Sequence, residues 1–160
     1  MKKYLFITCF LTFIYCDMIP YISPGIQVGL NSNGNFFISA QITGGIFEGD
    51  LVNDDFLTCF GITAGTRLFF TDAGVDRYNY MDAQVGFPIA GVGIGIIGRN
   101  KAKVMNIKTL EKETIAVNER YTKFKVWFGA IGLLSYDLIS SPVGKHNFGL
   151  FGVAPFPIVE

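Results

Sequence analysis

From Gly25 the chain alternates, with Ile26, Val28 and Leu30 on one side and Gln27, Gly29 and Asn31 on the other, the two-residue repeat of a strand. Ser32-Asn33-Gly34-Asn35 follows, and Asn-Gly between alternating segments signals a hairpin because its turn needs positive φ. Phe36, Ile38, Ala40 and Ile42 then alternate with Phe37, Ser39, Gln41 and Thr43, which predicts the returning strand. A third segment repeats the pattern at greater length: Phe56, Phe60, Ile62, Ala64, Leu68 and Phe70 share one parity, and Cys59, Gly61, Thr63, Gly65 and Arg67 the other. Its apolar face runs for about ten residues, the length a tilted strand needs to cross a bilayer.

After a turn-like stretch at 71–77, Met81, Ala83, Val85 and Phe87 are apolar on odd numbers, whereas Val92, Ile94 and Ile96 are apolar on even numbers. A tight hairpin reverses parity in this way, so a turn is expected between Phe87 and Ala90. Residues 99–125 are polar and predict a long two-stranded ribbon with its tip near Leu110 to Glu113. Phe124, Val126, Phe128, Ala130, Leu134 and Tyr136 keep one parity throughout, which leaves one long strand or two joined near Gly132. Phe148, Leu150, Ala154, Phe156 and Ile158 close the chain, with Pro155 and Pro157 expected at an unpaired edge or past the last ladder bond. The sum is an all-β fold, a single antiparallel up-and-down β-barrel of seven to eight strands over residues 17–160, with a long hairpin around residues 99–123.

Gly93-Ile-Gly95-Ile-Ile-Gly98 matches the G-x-G-x-x-G of a dinucleotide-binding turn, with Ala102 and Glu113 at further suggestive spacings. That motif requires a helix opening inside the glycines, and the following RNKAKVMNIK has no apolar helical stripe. Glycines on the crowded inner face of a barrel strand are the expected reading, with no nucleotide and no other cofactor.

Composition sharpens the picture. Half of the residues are hydrophobic and 16% are charged, against about 25% charged in an ordinary soluble domain. The formal net charge is zero, which gives no reason to expect a nucleic-acid partner. Residues 1–16 place Lys2 and Lys3 ahead of an apolar run from Tyr4 to Tyr15, the layout of a signal peptide. Its removal would leave Cys59 as the single cysteine, too few for an internal disulfide or a zinc site.

Few residues suggest chemistry. Arg99, Lys101, Lys103, Lys123 and Lys125 share spacing that would gather them into a basic band, solvated or in contact with anionic membrane lipid. Arg67 stands alone on the small, polar side of its strand and is expected to face inward and pair with Asp82. His146, the lone histidine, lies near Ser140, Ser141 and Asp137, but nothing positions a nucleophile beside it. Glu48, Asp50, Asp54 and Asp55 lack the regular spacing of a calcium loop. No catalytic residue and no metal ligand is therefore assigned.

With its leader, its long apolar faces, the aromatic residues Phe69, Phe70, Tyr78 and Tyr80 near strand ends, and no apolar helix, the chain resembles the small eight-stranded outer-membrane β-barrels of bacteria. The resemblance is architectural and covers residues 21–159. It implies a bacterial outer-membrane location and a non-enzymatic structural or surface-interaction role. It departs from the class in the long acidic connection at 47–56 and in ending FPIVE, with Phe156 four residues from the end. A soluble periplasmic or secreted barrel binding a small apolar ligand is the alternative, and a membrane-embedded lipid-modifying enzyme the third.

Overall fold

The computed structural model describes residues 18–48, 58–87, 89–105, 112–129, 133–141 and 144–158, with side chains omitted at 103–105, 112 and 113. Residues 1–17, most of the acidic connection, Pro88, the hairpin tip and the last two residues are among those outside them. The strands are β1 (Met18–Asn31), β2 (Phe36–Glu48), β3 (Thr58–Thr71), β4 (Gly74–Phe87), β5 (Ala90–Met105), β6 (Lys112–Phe128), β7 (Leu133–Ile139), β8 (His146–Val153) and β9 (Phe156–Pro157). Each of β1 to β7 pairs antiparallel with the next, and β8 returns to β1, so eight strands close a ring. The result is barrel-like, though not evenly round one axis.

The alternation seen in the sequence becomes the wall. Odd residues of β1, β2, β3, β6, β7 and β8 and even residues of β4 point inward, and their neighbours point outward. The first hairpin turns at Gly34, with φ of 79°, and the Asn31 side chain accepts hydrogen bonds from the Asn33 and Asn35 amides at 2.9 Å each. The turn at 71–77 is shorter than expected: β4 starts at Gly74, so Asp76 and Arg77 belong to the wall. Residues 122–138 form two strands, Phe128 ending β6 and Leu133 starting β7.

The closing seam corrects the expectation for Pro155 and Pro157. The ladder continues past them, with the Ala154 amide donating to Pro24 O at 3.1 Å and the Ile158 amide to Pro20 O at 2.8 Å. In an antiparallel ladder a residue's N–H and C=O face the same neighbour, so Pro20 and Pro24 offer this side an acceptor without a donor. The donor missing at Pro24 accounts for the break between β8 and β9, and that at Pro20 for the end of β9, which pairs with Tyr21 and Ile22.

The glycine repeat is answered by β5, one strand that runs through all three glycines to Met105. Gly91 lies on the inner face, where a Cβ would enter the Trp127 indole; Gly86 on the neighbouring strand faces the same ring. A flat aromatic and a bare backbone fill space that two ordinary side chains would overfill.

Candidate functional site

The barrel interior is polar and charged. Arg67 on β3 forms an ion pair with Asp137 on β7, both side chains fully buried. Gln27 on β1 bridges them: its Oε1 accepts from Arg67 Nη2 at 2.8 Å, and its Nε2 donates to Asp137 Oδ2 at 3.3 Å and to Ser135 Oγ at 2.7 Å. Lys123 on β6 donates to Asp82 on β4 at 2.5 Å and lies 3.9 Å from the centre of the Tyr80 ring. Tyr80 donates its hydroxyl to Gln41 Oε1 at 2.9 Å. Lys125 is equally buried, yet its ammonium makes no hydrogen bond among the described residues and faces the Phe151 ring at 3.9 Å. Three cations thus meet two carboxylates in the middle of the ring.

The two ends differ. Toward the end bearing the β1–β2 and β3–β4 turns, Phe37, Phe69, Tyr78, Ile97 and Ile139 pack into an apolar plug. At the end holding Met18 and Ile158, a cavity of about 260 Å³ is walled by residues that include Tyr21, Phe47, Trp127, Leu133 and Phe151.

The outer face is the reverse of the interior. Ile26, Ile62, Ile94, Phe128, Leu134, Phe148 and Leu150 are each more than half exposed, on six different strands around the ring. Of the aromatics expected near strand ends, Phe70 faces outward, while Phe69, Tyr78 and Tyr80 are turned into the interior.

Several expected sites are relocated. Arg67 and Asp82 both face inward as expected, but they take different partners, Asp137 and Lys123. The expected basic band does not assemble. Lys123 and Lys125 share the inward parity of Trp127 and are buried. Arg99 also turns in, bonding Asp76 at 2.7 Å and Glu119 at 2.6 Å beyond the outward apolar rows of β5 and β6. Its guanidinium holds the Glu119 carboxyl below the usual range. Lys101 is exposed on β5 just past a register slip between Arg99 and Lys101, a β-bulge whose extra residue lies on β6. The Lys103 side chain lies outside the described residues.

His146 opens β8, its Nδ1 2.7 Å from the Tyr136 hydroxyl. Asp137 is inside the wall and sits in register with Asn147, so the two groups do not come together. Asp50, Asp54 and Asp55 lie outside the described residues. Sequence reasoning missed the Asp137 pairing and the burial of the lysines. The signal was present in the second case, since the parity that sent Arg67 inward applies equally to Lys123 and Lys125.

No protein-family model, curated protein or solved structure matches this chain.

Proposed function

We propose that this chain is a non-enzymatic β-barrel of the bacterial outer membrane, with a filled interior and a structural or surface-interaction role. One observation carries the reading: the ring is polar inside and apolar outside. Arg67, Asp82, Lys123, Lys125 and Asp137 are sealed within, while large aliphatic and aromatic side chains stand exposed around the circumference. Soluble monomers rarely expose contiguous apolar patches above a few hundred Å². In lipid the same surface is matched to its solvent, and a closed ring leaves no backbone edge unpaired within the hydrocarbon.

The soluble ligand-binding alternative fits less well, since such a barrel keeps its apolar side chains for the cavity. The surface role is supported by the β5–β6 hairpin. Pairing of β4 with β5 stops at Asn79 and Gly98, and pairing of β6 with β7 stops at Lys123 and Ile139. Past those rows, and a last bond from the Ser140 amide to Thr122 O at 3.1 Å, the described residues of β5 and β6 pair with each other, a ribbon projecting from the wall. With the N-terminus on the periplasmic side, this ribbon projects outward from the cell.

Fractionation tests the reading. The protein is expected in the outer-membrane fraction, to need detergent for extraction, and to run faster on a gel unheated than boiled. Release by osmotic shock as a folded, detergent-free protein would overturn it.

A further inference from the structure

The third glycine of G-x-G-x-x-G serves a different purpose from the other two. Gly93 and Gly95 face the interior, while Gly98 faces out, in a row where Asn79, Gly98 and Arg120 lie side by side on three strands. A Cβ at Gly98 would meet Arg120 Cδ at 2.7 Å and Nη1 at 2.9 Å, so the arginine lies across the bare backbone. Arg120 Nη1 donates to Asn100 Oδ1 at 3.1 Å, which fixes that side chain over the strand. Toward the hairpin end Asn100 and Lys101 are both exposed on β5, and Arg77, also exposed, stands on β4 where its ladder with β5 has ended. Two hollows of about 220 and 470 Å³ run along this line and share Asn79 and Asn100. The first reaches down to Met81 and Ile96, both more than half exposed; the second reaches up to Arg77 and Lys101.

The groove is therefore amphipathic along its length, apolar at one end and cationic at the other. None of the ion pairs among the described residues uses Arg77, Lys101 or Arg120. Asp76 lines the groove too, but its carboxylate is held by Arg99. We propose that this groove on the outer wall binds the anionic, phosphate-bearing headgroup of a membrane lipid, with Arg77, Lys101 and Arg120 around the phosphate and the acyl chains along Met81 and Ile96. Charge complementarity selects the headgroup, and continuity with the apolar wall selects a lipid over a free anion. The inference rests on the outer-membrane reading.

The test uses the full-length protein folded in a neutral detergent, titrated with dioleoyl phosphatidic acid, with zwitterionic dioleoyl phosphatidylcholine, and with inorganic phosphate, with bound lipid read by native mass spectrometry. Phosphatidic acid is expected to be retained at least about tenfold more tightly than phosphatidylcholine, because each cation near the surface favours the anionic headgroup. The triple variant R77Q/K101Q/R120Q should lose that preference, while K145Q, which removes an exposed cation outside the groove, should keep it. Gel mobility of unheated samples confirms that each variant is folded, and if the triple variant fails, R77Q and K101Q alone should each lower the preference. Equal preference in wild type and folded variants overturns the proposal. Displacement of the lipid by inorganic phosphate at equal concentration overturns the lipid assignment. A protein that folds without detergent would instead refute the membrane reading, a result distinguishable from either.

Discussion

Asp137→Asn is the most informative single change in the interior. Asp137 takes the Arg67 guanidinium and the Gln27 amide, and the cluster contains three cations against two carboxylates, Asp82 and Asp137. Neutralising Asp137 leaves Arg67, Lys123 and Lys125 facing Asp82 alone. Removing one partner of a buried pair costs about 3–5 kcal/mol, and because asparagine retains an acceptor the expectation is about 3 kcal/mol. Lys125→Met is expected to act oppositely, since it exchanges an ammonium lacking a hydrogen bond for an apolar chain beside Phe151, with an effect between about zero and 1 kcal/mol of stabilisation. The double variant should recover part of the Asp137→Asn loss. Urea unfolding in detergent reads the differences, followed by heat-dependent gel mobility and by fluorescence of Trp127, the single tryptophan. A loss below about 1 kcal/mol for Asp137→Asn would refute the argument, because it would mean that water screens the pair.

The inner glycines should rank by the space behind them. Gly93→Ala is expected to be mild, its Cβ meeting Ala83 O and the Gln84 Cβ at 3.3 Å, whereas Gly91→Ala should displace the Trp127 ring and Gly95→Ala should press on Met81 O and Asp82, both lowering folded yield and the first shifting Trp127 emission. Nicotinamide and flavin nucleotides should neither bind nor change the melting temperature, and saturable binding of either would overturn the strand reading of the repeat. The Glu119–Arg99 contact should be sensitive to acid: with the folded pKa of Glu119 lowered, its contribution is complete above the ordinary glutamate value and is lost as pH falls through the folded one. Proteolysis of the β5–β6 hairpin should then rise on acidification in the wild type but not in Glu119→Gln, and identical pH profiles would remove the contact from consideration.

Most of the wall was legible in the sequence because a strand buried on one side must alternate. What stayed hidden follows from the arithmetic of hairpins. Phe87 pairs with Ala90, an odd with an even residue, so the apolar parity reverses and the turn announces itself. Phe128 pairs with Leu134, both even, so the pattern runs through the connection unchanged and β6 and β7 read as one segment. The register slip between Arg99 and Lys101, where β6 carries one residue more than β5, has no residue that marks it in the sequence. The partner of Arg67 was unreadable for another reason. Neighbouring strands suggest Asp82, but a closed ring brings β7 across the interior to β3, and alternation carries no information about what faces what across a barrel.

That closure also governs how the chain reaches its structure. Seven of the eight seams join strands adjacent in sequence and can zip locally, while the eighth joins β1 to β8 and β9, the first strand of the ring to the last. Gln27 on β1 meets Ser135, 108 residues away, only when that seam shuts. Long-range pairing of this kind slows folding because loop entropy is lost before contacts are gained. Until β8 arrives, β1 presents an open edge able to pair with another chain. The vulnerable interval therefore lasts until β8 and β9 dock on β1, and an escort that masks the edge of β1 would protect the chain through it.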